Sequence, residues 1–130
     1  KVWNVATGEM EQTLNGHTDR VLSVAFNDDG TKVVSGSWDN TIKVWNVATG
    51  EMEQTLNGHT GSVNSVAFND DGTKVVSGSD DNTIKVWNVA TGEMEGTVFT
   101  YYGGSARVNP KMTCVAVADG NKVHIFRRKG

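Results

Sequence analysis

Short stretches in which apolar and polar residues alternate, punctuated by turn residues, fill most of the chain, and no segment carries helical period at helical length. Val21-Leu-Ser-Val-Ala-Phe26 is rich in β-formers and closes on Asn27-Asp-Asp-Gly30, an Asp-Gly turn. Lys32-Val-Val-Ser-Gly-Ser37 follows, then a polar turn at Asp39-Asn40. Thr41-Ile-Lys-Val-Trp-Asn-Val47 is the third predicted strand, Ala48-Thr-Gly-Glu51 turns the chain, and Met52-Glu-Gln-Thr-Leu56 alternates as a polar outer strand. Four antiparallel strands of this size form a small sheet that cannot bury both of its faces alone. Neighbouring sheets must therefore stack face to face, which is the physics of a propeller.

The pattern repeats. Residues 1–42 and 43–84 differ at four positions only, and Lys1 to Thr18 recur unchanged from Lys43 to Thr60. The opening eleven residues return a third time from Lys85 to Glu95, after which the copy degrades. Ser105-Ala-Arg-Val-Asn109 can be laid on Ser65-Val-Ala-Phe-Asn69, and Lys122-Val-His-Ile-Phe126 on Thr83-Ile-Lys-Val-Trp87. The chain thus reads as a single all-β segment, 1–130, in copies of approximately 1–42, 43–84 and 85–130.

Composition narrows the functions without choosing one. With 130 residues, 12 basic and 15 acidic side chains and a net charge of −3, the chain has no general attraction for nucleic acid or anionic membrane. The lone cysteine, Cys114, can form no internal disulfide and completes no zinc site. No apolar run is long enough to span a bilayer and no signal peptide is visible, so the expected location is the cytoplasm. A chain that begins at Lys1, inside a strand, is expected to be a piece of something longer or a processed product.

Gly16-His17, Ser35-Gly-Ser37, Asp39 and Trp45-Asn46 stand at the spacing of the WD-repeat (WD40) β-propeller family, which the chain resembles closely over residues 1–95 and loosely over 96–130. It departs from the pattern in having Trp-Asn for Trp-Asp at Trp3, Trp45 and Trp87, where asparagine can supply a similar turn contact. The resemblance implies an all-β propeller of four-stranded antiparallel blades, about three per chain. It is of the highly amplified type found in bacterial and fungal recognition and signalling proteins, where near-identical blades vary at the rim.

A histidine, a serine and an aspartate in each period invite a catalytic-triad reading. A structural reading is better, because a buried indole N–H needs an acceptor. A chain of hydrogen bonds from Trp45 through Ser35 and His17 to Asp39 supplies one, with a second from Trp87 through Ser77 and His59 to Asp81. The resemblance implies this tetrad, although Ser37 or Ser79 could stand in for the named serine. An active site is needed once, whereas a fold requirement recurs. The last repeat has no such network and offers Ala116, Gly120 and Phe126 instead, so it is expected to be the least stable unit.

Other candidates are weak. Asp28-Asp29-Gly30 and Asp70-Asp71-Gly72 lack the spaced ligands of a calcium loop and read as hairpin turns. Gly103-Gly104 fits no phosphate loop, Tyr101 and Tyr102 are equally packing or binding aromatics, and Arg127-Arg128-Lys129 reads as a solvated tail. No metal or cofactor is expected.

The differences between copies carry the signal: Asp19 against Gly61, Arg20 against Ser62, Leu22 against Asn64, and Trp38 against Asp80. Three fall at the loop entering the innermost strand, and the fourth precedes the turn between second and third strands. In a propeller both places lie on one rim, which the resemblance implies is the usual partner-binding face. The expected function is a non-catalytic scaffold binding a protein or peptide through these eight residues. The alternative is a purely structural or oligomerising propeller fragment. Three blades do not close a ring, so completion is expected from other chains, as a dimer of six blades or a trimer of nine, or from a missing part of this one. Residues 9–15 offer the outer strand that the last sheet lacks, and residues 1–6 duplicate the strand at 122–128.

Overall fold

The computed structural model describes residues 1–99 in full and, beyond them, the backbone of three strands. The chain is all-β. A short hairpin, β1 (Val2–Trp3) and β2 (Met10–Gln12), comes first. The first complete sheet holds β3 (Val21–Phe26), β4 (Lys32–Ser37), β5 (Ile42–Asn46) and β6 (Met52–Leu56). The second repeats it with β7 (Val63–Phe68), β8 (Lys74–Ser79), β9 (Thr83–Asn88) and β10 (Met94–Phe99). The last has three strands, β11 (Ala106–Val108), β12 (Cys114–Asp119) and β13 (Lys122–Arg127). Each sheet is an antiparallel meander in chain order. The expected third strand, 41–47, is one residue shorter at each end. Tyr101, Tyr102, Gly103, Gly104, Arg128 and Lys129 lie outside the described residues. No helix among the described residues is long and apolar enough to cross a membrane.

The turns follow from local chemistry. Gly30 N–H donates to the Asn27 carbonyl at 3.2 Å and sits at φ +74°, a conformation that costs a Cβ-bearing residue dearly. Asp29 accepts from both the backbone N–H and the hydroxyl of Thr31, at 3.0 and 2.6 Å. Its carboxylate is therefore spent within the hairpin, and Asp71 with Thr73 repeats the arrangement. Among the described residues no three acidic, histidine or cysteine side chains converge on a cation-sized space. At the next turn Asn46 Oδ1 accepts from Thr49 N–H at 3.1 Å, and Asn4 and Asn88 do the same for Thr7 and Thr91. The Trp-Asn departure thus leaves this turn chemistry intact.

The core lies between sheets. Val34, Ile42, Val44 and Leu56 on one face of the first complete sheet meet Val63, Val66, Val75, Trp87 and Val89 of the second. Each such side chain, fully buried, contributes roughly 1.5–3 kcal/mol, and either face alone would be wet. The inner strands β3 and β7 run side by side. A bulge between Val63 and Ser65 disturbs the pairing there, and Val66 N–H donates to Ser23 Oγ across the joint at 3.3 Å. Gly36 makes the approach possible, since a Cβ there would sit 2.6 Å from Val63 Cγ1. At the outside, Gln54 Nε2 donates to the Ala90 carbonyl at 3.2 Å, tying the outer strand of one sheet to a turn of the next. Gln12 reaches Ala48 in the same way, so the β1–β2 hairpin stands to the first complete sheet as that sheet stands to the second. Gly96 takes the place of these glutamines in β10.

Backbone pairing fixes the register of the last sheet. Val117 pairs with His124 and Val115 with Phe126, as Ser77 pairs with Lys85 and Val75 with Trp87. Val117, rather than the expected Ala116, therefore takes the serine's position, and Phe126 takes the tryptophan's. Donor and acceptor have been lost together, so this sheet carries no orphaned indole N–H at that position.

Candidate functional site

Two constellations recur at equivalent places, one inside the sheets and one on the rim. The inner one begins with Trp87 Nε1–H, which donates to Ser77 Oγ at 2.8 Å. Ser77 Oγ lies 2.7 Å from His59 Nε2, and His59 Nδ1 lies 2.8 Å from Asp81 Oδ2. The partners assign the tautomer: with an ionised Asp81, Nδ1 carries the proton and Nε2 accepts the serine hydroxyl's. Trp45, Ser35, His17 and Asp39 form the same chain at 2.9, 2.6 and 2.8 Å. Ser35 and Ser77 are the serines engaged. Ser37 and Ser79 instead accept from the backbone N–H of Asp39 and Asp81. Sequence reasoning missed Thr41 and Thr83, whose hydroxyls donate to Asp39 and Asp81 at 2.5 and 2.6 Å. The recurrent Asp-Asn-Thr was the signal.

Serine, histidine and aspartate here have the connectivity of a hydrolytic triad without its reactivity. Ser77 is fully buried, and its oxygen already accepts the indole proton. A nucleophile needs that lone pair free and an open approach. What the arrangement does is pin the loop before the inner strand, the turn after the second strand and the third strand to one another.

Its electrostatics give the folded chain an acid-sensitive element. Burial pushes the His59 imidazole below its ordinary range, against the pull of the Asp81 carboxylate. Burial alone would raise the Asp81 carboxyl, yet the hydrogen bonds from Thr83, His59 and the Thr60 amide outweigh it and hold it at about 2. Asp39 is held well below the carboxylate range in the same manner. All three shifts act in one direction. Below about pH 6.5 the unfolded chain takes up a proton that buried His59 refuses. Below about pH 4 it protonates aspartates that the folded chain keeps ionised. The melting temperature is therefore expected to be flat above pH 7 and to fall in two stages on acidification. A melting temperature that rises between pH 7 and pH 4 would contradict this.

The rim constellation is built on that pinned frame. Trp38 N–H donates to the Arg20 carbonyl at 2.9 Å, and Asp80 N–H to the Ser62 carbonyl at 3.0 Å. Each bond draws the loop entering the inner strand onto the turn after the second strand. The four differing positions thus become neighbours in each copy. In the first, the Arg20 guanidinium lies over the Trp38 ring, 5.1 Å from its centroid. Trp38 remains 46% exposed and Leu22 40%. In the second, Asn64 Nδ2 donates to Asp80 Oδ1 at 2.6 Å. An exposed cation-on-indole patch beside a leucine is replaced by a hydrogen-bonded amide and carboxylate. Asp19 accepts from the following Arg20 N–H at 2.8 Å. Gly61 differs in kind from the others: a Cβ there would meet Asp81 N at 2.9 Å, so its local reason is space.

A family model described as the WD domain, G-beta repeat, matches residues 8–46 and 50–88, more than half of the chain. The vegetative incompatibility protein HET-E-1 of Podospora anserina is 58% identical over 41 residues, 32% of this chain and 3% of that protein. The guanine nucleotide-binding protein subunit beta-5b of Danio rerio is 48% identical over 42 residues, 32% of this chain and 11% of its own. The periodic tryptophan protein 2 homolog of Schizosaccharomyces pombe is 45% identical over 42 residues, 32% of this chain and 5% of its own. The match therefore covers about one repeat and a small part of each relative's length.

Proposed function

From the premise that the chain belongs to the WD domain, G-beta repeat family, we propose that it is a non-catalytic scaffold that recognises a protein or peptide on one rim of its sheets. The observation that carries the reading is the placement of the four differences. Two repeats alike at 38 of 42 positions differ only where two loops meet on one rim. There the new residues pair with each other, Arg20 with Trp38 and Asn64 with Asp80. Gly61 aside, whose reason is local space, changes that served the fold would fall on the buried tetrads or the joint between sheets, which are unchanged. Trp38, Arg20 and Leu22 supply the large, partly exposed side chains on which binding energy concentrates, and Asp19, Ser62, Asn64 and Asp80 supply polar specificity. A relative named for vegetative incompatibility supports placing the role in recognition. The reading includes no metal, no cofactor, no nucleic acid and a cytoplasmic setting.

The test is an exchange. Ser62→Arg, Asn64→Leu and Asp80→Trp together give the second repeat the first repeat's rim, with Gly61 retained because its position admits no Cβ. These are surface changes, so stability is expected to move by less than about 1 kcal/mol. The peptides selected from a displayed random library are expected to differ between parent and variant. Identical selections, or none from either, would defeat the proposal.

A further inference from the structure

The rims of the two complete sheets carry opposite charges. On the first, the Arg20 guanidinium lies over the Trp38 ring, and among the described residues no carboxylate stands within ion-pair distance of it. The contact with the ring uses the cation's charge and spends none of its N–H donors. Asp19, its neighbour in sequence, is turned to the backbone, where Oδ1 accepts from the Arg20 N–H at 2.8 Å. On the second, Asp80 stands in the place of Trp38 and Ser62 in that of Arg20. Asn64 Nδ2 donates to Asp80 Oδ1 at 2.6 Å, which orients the carboxylate, and no cation among the described residues pairs with it. Exposure here belongs to the position and not to the neighbour. Trp38 is exposed, and Asp80 is exposed as well although the first sheet packs against the second.

We propose, resting on recognition at this rim, that the occupant is a peptide with one acidic and one basic side chain, the acid held by Arg20 and the base by Asp80. A guanidinium takes a carboxylate through two parallel N–H···O bonds, and the indole beside it holds the side chain in place and keeps water from one flank. Asp80, oriented by Asn64, offers its other oxygen to an ammonium or guanidinium. The two charges sit on successive sheets whose inner strands are tied by the bond from Val66 N–H to Ser23 Oγ at 3.3 Å, so their spacing is fixed. Facing sheets pack about 10 Å apart and an extended chain rises about 3.3 Å per residue, so an acid and a base about three residues apart reach both. A small ion spans neither distance. The pair also rejects: an acid brought to Asp80, or a base brought to Arg20, meets like charge. Because the two ends differ, the peptide lies in one direction.

The experiment reads the charges of peptides selected by the whole chain from a displayed random library, followed by titration of the selected peptides. Parent selections are expected to share one acid and one base in a single order. Arg20→Gln should abolish the preference for the acid and keep that for the base, and Asp80→Asn should do the reverse. Each should weaken a parent-selected peptide about tenfold, and less at high salt. Reversing both charges, with Arg20→Glu and Asp80→Lys, should select the same pair in the opposite order. The exchange variant above, with arginine and tryptophan on both repeats, should select two acids. All these positions are on the surface, and an unchanged melting temperature shows that the fold is kept. Parent selections without a charge pattern, or a preference that survives loss of the side chain assigned to it, would overturn the proposal and leave recognition at the rim standing. No selection by the parent would overturn both.

Discussion

Replacing His59 with alanine is expected to lower the stability of the folded chain by about 3 kcal/mol, from a lost buried network and the space the ring leaves. The imidazole is the middle link. Without it the Ser77 hydroxyl loses its short acceptor at 2.7 Å and keeps only the Lys85 carbonyl at 3.5 Å. Asp81 loses one of its donors, and the ring no longer packs 6.1 Å from Trp87. His17→Ala should cost somewhat less, because the His17 side chain is 5% exposed where that of His59 is 0%. Denaturant unfolding followed by tryptophan emission reads both. A loss below about 1 kcal/mol for His59→Ala would show that the network is ornamental, and equal losses would show that the two sites are shielded from water alike.

Much of this was legible because the repeat wrote it twice. Strands at 21–26, 32–37 and 52–56, the Asp-Gly turns and the identity of the tetrad members follow from alternation, turn chemistry and recurrence. What the sequence hid lies across joints rather than along strands. Nothing local shows that Gln12 and Gln54 reach into the next sheet, or that Gly36 is small because Val63 lies on it. The bulge opposite Ser37 is equally silent, since a disturbed pairing leaves alternation almost intact. The rim positions were visible as differences, but their pairing was not. That Arg20 covers Trp38 depends on a backbone bond joining two loops eighteen residues apart. In the degraded repeat, alignment by residue type placed Ala116 where backbone pairing places Val117. A single-residue slip of this kind moves a side chain to the opposite face.

Gly36→Ala is expected to cost about 2 kcal/mol and Gly36→Val about 3 kcal/mol or more, although alanine and valine both suit a strand better than glycine. The new Cβ would lie 2.6 Å from Val63 Cγ1 and 3.1 Å from both the Val63 carbonyl oxygen and Val66 Cγ1. Val63 is branched at Cβ and fully buried, so it has no free rotamer to retreat into, and the backbone oxygen cannot yield without moving β7. The strain is relieved only by opening the joint between the two complete sheets, which loosens contacts among Val34, Ile42, Val44 and Val66. Val63→Ala alone should also destabilise, by about 2 kcal/mol, through the void it leaves. Together the two changes should cost clearly less than their sum, because the methyl added at 36 enters the space vacated at 63. Additive losses in that cycle would mean that strand-intrinsic effects at Gly36, and not the approach of the neighbouring sheet, set the residue.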